Sequence, residues 1–463
     1  MPPRRLDRAA GVLLVAACGE ATGSASGYGA ATESAITLAR AVLAGMDPSA
    51  VPAGPGLAWA GVAALAVSGA GAMADTVRSI SELTAPDDPL TGDACVLWAA
   101  AIRAAAKYGS PAGPAAGLDL IPATRRTHWT WWIEQAERQP PSSFSHNDAA
   151  VPLLQAAWSA IASAPVEADR PADGVFACAH LTAALDSAAQ ADPLVAATAG
   201  ALLGARWGAS AVPFNRLRTL RPAPPPAPPP APPHAVDVTS TGIEHGQCHI
   251  DRAGYRPRAG ELVRLGALVA GGGRDDVRGW PSLARRALYP HRVDPAVPHP
   301  ADPEVMLGGL GAREALSSQP TSPDRPPGRR AVVSLCQVGH ADFDDIPADD
   351  HLEIWLVDNP GDNNQPHFVI DQAARAVAAF RAEGKRVFLH CHAGLSRTPA
   401  VAARYACLTS GCDPDTAFAQ VAAATGRPTA KINPELLAAV YELAGKTPPR
   451  PGPEPSSWDR SQR

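Results

Sequence analysis

The sequence lacks the cysteine patterns that define disulfide-rich and zinc-binding proteins. Its eight cysteines are scattered over 463 residues. None of them forms a Cys-x-x-Cys pair or a Cys/His cluster with zinc-finger spacing. Scattered cysteines in a long chain are typical of reduced thiols. This pattern excludes a disulfide framework and leads us to expect a cytoplasmic protein.

Long apolar runs and a strong net charge are also absent. No stretch approaches the roughly 20 apolar residues of a membrane-spanning helix. The formal net charge is only -5, which gives no general attraction to nucleic acid or to an anionic membrane. We therefore expect neither a nucleic-acid partner nor a membrane span.

The first residues carry a signal-like pattern of basic residues, an apolar run and the sequence Val-Ala-Ala-Cys, which ends at Cys18. However, the run from Ala9 to Cys18 is short for the core of an export signal. The run also merges into a longer helical pattern. We therefore interpret it as part of a helix.

Proline is abundant, with 49 residues, and it divides the chain. Residues 221–234 read RPAPPPAPPPAPPH, a sequence that cannot form a helix or a central strand and favours extended polyproline II. We interpret this segment as a semi-rigid linker rather than as a docking ligand. Because few contacts are expected across such a linker, the chain after it should fold independently.

The half before the linker has the pattern of a helical protein. Residues 1–220 are rich in Ala and Leu with helical periodicity, and Pro- and Gly-rich breaks separate the periodic segments. This predicts an all-α domain. The clearest predicted helices are Glu33–Leu43, Gly92–Lys107, Ala149–Ser163 and Pro193–Trp207.

The half after the linker changes character along its length. Residues 235–302 have weak patterning, and we leave them as an unassigned irregular segment. Over residues 303–446 short buried strands alternate with helices, which predicts an α/β domain with a central, mainly parallel sheet. Residues 447–463 are rich in Pro and Ser, which predicts a disordered tail. The predicted strands are Ala331–Leu335, His351–Val357 and Arg386–Leu389, and the predicted helices are Asp371–Glu383, Thr398–Thr409 and Asp415–Ala424.

The most informative sequence is VFLHCHAGLSRTP, from Val387 to Pro399. An apolar strand ends at His390, a loop follows, and Pro399 falls in the first turn of a helix, where its missing N–H costs little. A loop that runs into a helix N-terminus directs backbone N–H groups and the helix dipole at one point. That point favours a phosphate and a thiolate anion, which makes Cys391 a candidate nucleophile.

The neighbouring side chains suit the same chemistry. Gly394 lets the backbone turn tightly, and Arg397 can grip phosphate oxygens bidentately. Thr398 can donate a hydrogen bond to the thiolate when it leaves in a second step, and His390 can order the loop through its ring nitrogens. The loop residues expected to bind the phosphate are His392, Ala393, Gly394, Leu395 and Ser396.

This run resembles the His-Cys-x5-Arg-Ser/Thr signature of the dual-specificity branch of the protein tyrosine phosphatases. The resemblance extends over about residues 303–445: residues 306–310 (MLGGL) look like the opening strand, and Arg427-Pro428 and Asn433-Pro434 look like the closing segment. The resemblance implies a phosphatase that works through a phosphocysteine intermediate without a metal or organic cofactor. Its substrate would be a phosphorylated protein or another phosphate monoester.

The resemblance also implies a general acid. Asp358 lies upstream of Cys391, just after a predicted strand, where the family places the residue that protonates the leaving oxygen and then activates water. The following loop offers Asp362 as a rival. We favour Asp358 because of its spacing from the nucleophile.

The N-terminal half resembles the ADP-ribosylglycohydrolase family, an all-α fold built around two magnesium ions. The similar segments lie within residues 7–215, with residues 195–208 (VAATAGALLGARWG) resembling the final signature helix. The family's first acidic motif falls on residues 31–34 (ATES) and its second on residues 191–194 (ADPL). Only the weak candidates Glu33, Ser34 and Asp192 could still bind a metal.

Magnesium needs several fixed oxygen ligands in octahedral array. Because most of the expected carboxylates are missing, we expect a degenerate domain without dimetal catalysis. Such a domain could still bind ADP-ribose or an ADP-ribosylated protein, or could only stabilise the chain.

Three functions are compatible with these patterns. We favour a phosphatase that carries a degenerate ADP-ribosylglycohydrolase-like domain. The alternatives are a bifunctional enzyme that also releases ADP-ribose, and a scaffold that binds phosphorylated or ADP-ribosylated partners. The intact pair of Cys391 and Arg397 argues against the scaffold.

Overall fold

The computed structural model describes residues 1–22, 27–52, 54–110, 113–144, 149–220, 258–274, 295–313, 329–339 and 342–450. The expected linker at 221–234 and almost all of the expected tail at 447–463 lie outside these residues. The described residues form a mostly helical N-terminal region, which we call the helical region, and a C-terminal region built on a mixed sheet.

The helical region agrees closely with the periodicity of the sequence. All of the helices named as clearest predictions are present, and the last of them has both predicted bounds. The helices are α1 (Pro3–Ala21), α2 (Ala30–Leu43), α3 (Ala58–Ala66), α4 (Ala70–Glu82), α5 (Pro89–Tyr108), α6 (Ala123–Arg138), α7 (Ala150–Ser163), α8 (Ala179–Ala191), α9 (Pro193–Trp207) and α10 (Phe214–Thr219).

The centre of the helical region is the close crossing of α1 and α9. A Cβ atom at Gly204 would lie 2.1 Å from the carbonyl oxygen of Gly11, so only glycine lets the two backbones approach this far. The signal-like run of α1 is therefore buried in a protein core, with Cys18 only 3% exposed. No helix within the described ranges is long and apolar enough to cross a membrane.

The C-terminal region has a sheet with the strand order β1-β2-β5-β3-β4. Only β1 and β2 pair antiparallel, and the other neighbours are parallel, which confirms the mainly parallel sheet. The central strand is β5, which pairs in parallel with β2 on one side and with β3 on the other. The strands are β1 (Val297–His299), β2 (Asp302–Gly309), β3 (Arg330–Ser334), β4 (His351–Glu353) and β5 (Arg386–Cys391).

One predicted strand is shorter than expected. The apolar run at 351–357 pairs with β3 only over β4, and the backbone then leaves the sheet. Buried apolar residues after β4 are therefore explained by packing rather than by strand pairing. The helices that follow are α12 (Pro366–Ala382), α13 (Arg397–Ser410), α14 (Pro414–Thr425) and α15 (Pro434–Leu443).

The segment at 235–302 is not irregular throughout, contrary to our interpretation. It contains helix α11 (Ala259–Ala270), as well as β1 and the first residue of β2. The apolar side of α11 is buried at Leu262 and Leu265, and its Gly266 lies against α1, since a Cβ there would be 2.9 Å from the carbonyl oxygen of Ala9. The helix is short and flanked by Gly- and Arg-rich sequence, which concealed its periodicity.

The expectation of few contacts between the two halves is wrong. Arg218 of α10 donates to the carbonyl oxygen of Asp349 at 2.9 Å and pairs with Glu383 at the end of α12. The rings of Phe176 and Phe368 meet edge to face, with centroids 5.4 Å apart. The helical region and the sheet region therefore pack against each other directly.

Candidate active site

Cys391 lies at the carboxyl end of the central strand, where open α/β sheets place their ligands. It is the last residue of β5, it pairs with Gly309 of β2, and it is 1% exposed. The loop that follows runs directly into α13, which begins at Arg397. The backbone N–H of Gly394 points back at the Cys391 Sγ, 3.2 Å away. The loop therefore directs the Gly394 N–H at the thiol.

Glycines allow this loop to sit against the end of β2. Gly394 has a φ of +67°, and a Cβ there would lie 2.8 Å from the backbone carbon of Gly308. The next residue on β2, Gly309, would clash in the same way with the carbonyl oxygen of His392, at 2.9 Å. The Gly308-Gly309 pair in the opening strand and Gly394 in the loop are thus parts of one close backbone contact.

Arg397 is mostly buried, with 13% of its side chain exposed. Its Nη1 donates to the carbonyl oxygens of Leu335 and Leu356 at 2.8 and 3.2 Å. Its Nε is buried and has no hydrogen-bond partner among the described residues. Burial acts to lower the pKa of Arg397, but electrostatic interactions with Cys391 and Asp358 and a hydrogen bond to Cys391 outweigh it and raise the pKa. The guanidinium is thus fixed at one end and retains an unused donor.

Asp358 meets the same loop from the other side. Its Oδ1 accepts a hydrogen bond from Ser396 Oγ at 2.5 Å, and its Oδ2 lies 3.7 Å from Arg397 Nε. The side chain is 38% exposed, so it can reach both the loop and solvent. The rival Asp362 instead accepts from Asn359 Nδ2 at 3.1 Å within its own turn. The structure thus brings Asp358, and not Asp362, to the side chains of the loop.

His390 supports the loop from the buried side. Its Nε2 lies 2.7 Å from Ser334 Oγ, and its Nδ1 lies 3.3 Å from the carbonyl oxygen of Cys391. The ring stacks on Phe388, with centroids 4.8 Å apart. Burial lowers the pKa of His390 to about 3, so the ring is neutral near neutral pH. A neutral ring held at both nitrogens orders the backbone at the nucleophile.

The remaining predicted loop residues take different positions. Thr398 is buried and donates to the carbonyl oxygen of Gly308 at 3.3 Å, whereas the bond expected of it is to the departing thiolate in the second step. The carbonyl oxygen of His392 accepts from Leu310 N, and that of Ala393 accepts from Arg427 Nη1 at 2.7 Å. Leu395 is the exposed residue of the loop, at 38%. The backbone carbonyl oxygens of His392 and Ala393 thus tie the loop to Leu310 and Arg427.

Three supporting residues were missed by the sequence analysis. Ser334 holds His390, the backbone N–H of Asn433 donates to Ser396 Oγ at 2.9 Å, and Asn363 closes the loop that carries Asp358. Asn433 belongs to a segment already noted as family-like, which is a signal that could have identified it. Ser334 and Asn363 have no motif of their own, because their roles depend on contacts between distant segments.

Two candidate metal ligands of the helical region, Ser34 and Asp192, accept structural hydrogen bonds. Ser34 Oγ accepts from Gly54 N at 2.7 Å, and Asp192 caps α9 by accepting from Leu194 N at 2.6 Å. Glu33 lies in the first turn of α2. Over the described parts of the chain, no group of three or more His, Cys, Asp or Glu residues is arranged to hold a metal ion.

Comparison with known proteins gives a family for part of the chain. Residues 332–445 match the family model described as "Dual specificity phosphatase, catalytic domain". Crystal structures of human DUSP28 and of its single-substitution variant are similar to this chain at 24% and 22% identity. Each covers 33% of this chain and 94% or 95% of its own, with TM-scores of 0.26 and 0.27. No curated protein matches the chain.

The family match supports a cysteine-based phosphatase of the dual-specificity or protein tyrosine phosphatase type, which acts on phosphorylated substrates. The match begins at Val332, inside β3, and so leaves out β1 and β2, although β2 pairs with the strand that carries Cys391. No comparison supports the resemblance of the helical region to ADP-ribosylglycohydrolases.

Proposed function

We propose that this protein hydrolyses phosphate monoesters through a phosphocysteine intermediate, with Cys391 as nucleophile, Arg397 as phosphate clamp and Asp358 as general acid. The observation that carries this proposal is the convergence of these three groups on one loop. The Gly394 N–H points at the Cys391 thiol, the buried Arg397 Nε has no hydrogen-bond partner among the described residues, and Asp358 lies 3.7 Å from that Nε.

In the first step, the loop N–H groups and Arg397 hold the phosphate while the Cys391 thiolate attacks phosphorus. The phosphorus–oxygen bond to the substrate breaks, and Asp358 gives its proton to the leaving oxygen. In the second step, Asp358 takes a proton from water, the water oxygen attacks phosphorus, and the thiolate leaves. The products are an alcohol or phenol and inorganic phosphate.

These steps use only side chains and backbone groups of the chain. We therefore propose that the phosphatase needs no metal or organic cofactor. The purified protein should hydrolyse p-nitrophenyl phosphate in the presence of EDTA, and Cys391→Ser should abolish the activity. Cys407→Ser is the matched control, because Cys407 lies on α13 away from the loop. Activity that requires added metal, or that survives Cys391→Ser, would refute the mechanism.

The physiological substrate is a phosphorylated protein or another phosphate monoester. The same loop chemistry serves phosphotyrosine, phosphoserine or phosphothreonine, phosphoinositides and phosphorylated RNA ends, and the depth of the pocket selects among them. A phosphatase screen over these classes, with Cys391→Ser as the blank, identifies the class. We also propose a cytoplasmic location, since the cysteines that the structure describes are all free thiols.

For the helical region, we propose an ADP-ribosylglycohydrolase-like fold without dimetal catalysis. The donor set does not fit two magnesium ions, because Ser34 and Asp192 already accept backbone hydrogen bonds. Glu20, a carboxylate in the same region, caps α2 by accepting from Ala31 N and Thr32 N at 3.0 and 2.9 Å. The oxygens of Asp192 and Glu20 thus cap helix ends, and that of Ser34 ties α2 to the loop at Gly54. The role that we propose for the helical region is therefore binding, with ADP-ribose or an ADP-ribosylated protein as its ligand.

A further inference from the structure

The loop that carries the proposed general acid is hydrogen-bonded to the helical region. Asn364, in the turn between Asp358 and α12, directs its side-chain amide at the first turns of α1. Its Nδ2 donates to the carbonyl oxygen of Arg4 at 2.8 Å and to Asp7 Oδ2 at 2.7 Å. Its Oδ1 accepts from Arg8 Nη1 at 3.0 Å. Both amide hydrogens and the oxygen of one side chain are thus used on a single helix more than 350 positions away in sequence.

The α1 side of this contact is part of a packed core. Asp7 is fully buried, and it accepts from Ser210 N and Ser210 Oγ at 2.9 and 2.6 Å. Burial raises the pKa of Asp7. Gly208 leaves room for this carboxylate, since a Cβ there would lie 2.5 Å from Asp7 Oδ2. Arg8 is tied to the end of α5 through the carbonyl oxygen of Ala106, at 3.0 Å. The groups that hold Asn364 are therefore immobilised independently of the loop.

Asn363, which precedes Asn364, links this contact to the loop of Asp358. Asn363 is 4% exposed, and its side chain bonds both the N–H and the carbonyl oxygen of Val357 at 2.9 Å. It also donates to Glu435 Oε2 at 3.0 Å. Val357 immediately precedes Asp358, so these bonds join the two ends of the loop from Val357 to Asn363. A closed loop held at Asn364 adds a second constraint on the position of Asp358, beside its own bond to Ser396.

We propose that α1 of the helical region positions the general acid through Asn364, so that full phosphatase activity depends on the helical region. This inference rests on the proposed function, because it assigns a role to a contact of the same site. Asn364 is a positioning residue: it touches no reacting atom and acts through the placement of Asp358. The helical region then has a function in phosphate hydrolysis without any chemistry of its own.

The test separates positioning of the acid from general stability by the choice of leaving group. Phenyl phosphate needs a proton on its leaving oxygen, whereas p-nitrophenyl phosphate leaves readily without one. For Asn364→Ala in the full-length protein, we expect kcat on phenyl phosphate to fall about tenfold and kcat on p-nitrophenyl phosphate to change less than about twofold. Arg218→Ala is the matched control, because it removes the contacts to Asp349 and Glu383, which lie away from the acid loop. Both of its rates should match wild type.

A double-mutant cycle with Asp358→Asn shows whether the effect passes through the acid. Once Asp358 cannot donate a proton, Asn364→Ala should have little further effect on phenyl phosphate. Arg8→Ala, made on the α1 side, should reproduce the leaving-group pattern, and it keeps the test available if Asn364→Ala fails to fold. Faster amide hydrogen exchange over residues 357–364 in Arg8→Ala supports the proposal without an activity measurement.

Equal losses on both substrates, an undiminished effect in the Asp358→Asn background, or the same pattern in Arg218→Ala would overturn this inference. Those outcomes leave the phosphatase assignment intact, since wild-type turnover and its loss in Cys391→Ser are measured in the same series. Absence of wild-type turnover on both substrates would instead refute the proposed function, and the positioning role with it.

Discussion

Replacing Asp358 by asparagine should separate protonation of the leaving group from attack on phosphorus. Asparagine has nearly the same shape, and its oxygen can still accept the hydrogen bond that Ser396 Oγ now makes to Asp358 at 2.5 Å. It cannot give a proton to the leaving oxygen. Cys391 keeps its contact with Gly394, and Arg397 keeps its bonds to Leu335 and Leu356, so substrate binding and the geometry of attack should be preserved.

The magnitude follows from the step that is lost. General acids contribute roughly 10²- to 10⁴-fold, so we expect kcat on phenyl phosphate to fall by about 10²-fold or more. A 10²-fold loss corresponds to about 2.7 kcal/mol of transition-state stabilisation. On p-nitrophenyl phosphate, whose leaving group needs little protonation, the loss should be smaller. KM should change little on either substrate, because the carboxylate is not the phosphate clamp.

The assay is steady-state release of phenol and of p-nitrophenol by the full-length protein. Asp362→Asn is the matched control, since Asp362 belongs to the same loop but bonds to Asn359 within its own turn. It should keep the wild-type rate on both substrates. A wild-type rate for Asp358→Asn together with a crippled Asp362→Asn would move the acid role to Asp362 and refute the assignment made from the geometry.

Three further predictions concern other parts of the chain. Ser396→Ala should destabilise the protein by about 1–3 kcal/mol in urea unfolding, because it leaves the buried N–H of Asn433 without its acceptor; an unchanged unfolding midpoint would contradict this. A chain that starts at Ala235 should aggregate or stay unfolded by circular dichroism, because α11 would expose the apolar side that now packs on α1; a monomeric, active product would show that the halves are independent after all. The full-length protein should show neither tight stoichiometric magnesium binding by calorimetry nor magnesium-dependent release of ADP-ribose from modified arginine or serine, since the donor set is incomplete; binding with turnover would make the chain bifunctional.

The parts of the site that are local in sequence could be predicted from it. The strand, loop and helix around Cys391 follow from hydrophobic periodicity and from the positions of glycine and proline. Both the order of β5 and α13 and the tight turn at Gly394, with its φ of +67°, agree with that pattern. Local patterns carry this information because the loop is formed by neighbouring residues.

Contacts between distant segments could not be predicted in the same way. Helix α11 was missed because its apolar side is short. That side is buried because it packs on α1, which is far away in the chain. The Pro-rich run suggested independent halves, but composition of a linker says nothing about the surfaces on either side of it. Asn364 is an ordinary loop residue in the sequence, and it becomes informative only when α1 is placed beside it.

The partner of Thr398 is a smaller example of the same limit. The sequence suggested a hydrogen bond to the thiolate, since the residue follows the clamp arginine. In the structure its hydroxyl donates to the carbonyl oxygen of Gly308, on a strand that the local pattern does not include. The direction of a buried hydroxyl depends on the nearest acceptor, which the sequence alone does not give.

The central claim, that Cys391 carries the phosphoryl group during turnover, is tested most directly by trapping the intermediate. The full-length protein would be mixed with p-nitrophenyl phosphate in EDTA and quenched within the first turnovers. The peptide that contains Cys391 would then be examined by mass spectrometry. We predict one phosphoryl group on the Cys391 sulfur in the wild-type protein, and none in Cys391→Ser. A protein that turns over substrate while Cys391 stays unmodified, or that carries the phosphoryl group on another residue, would contradict the account.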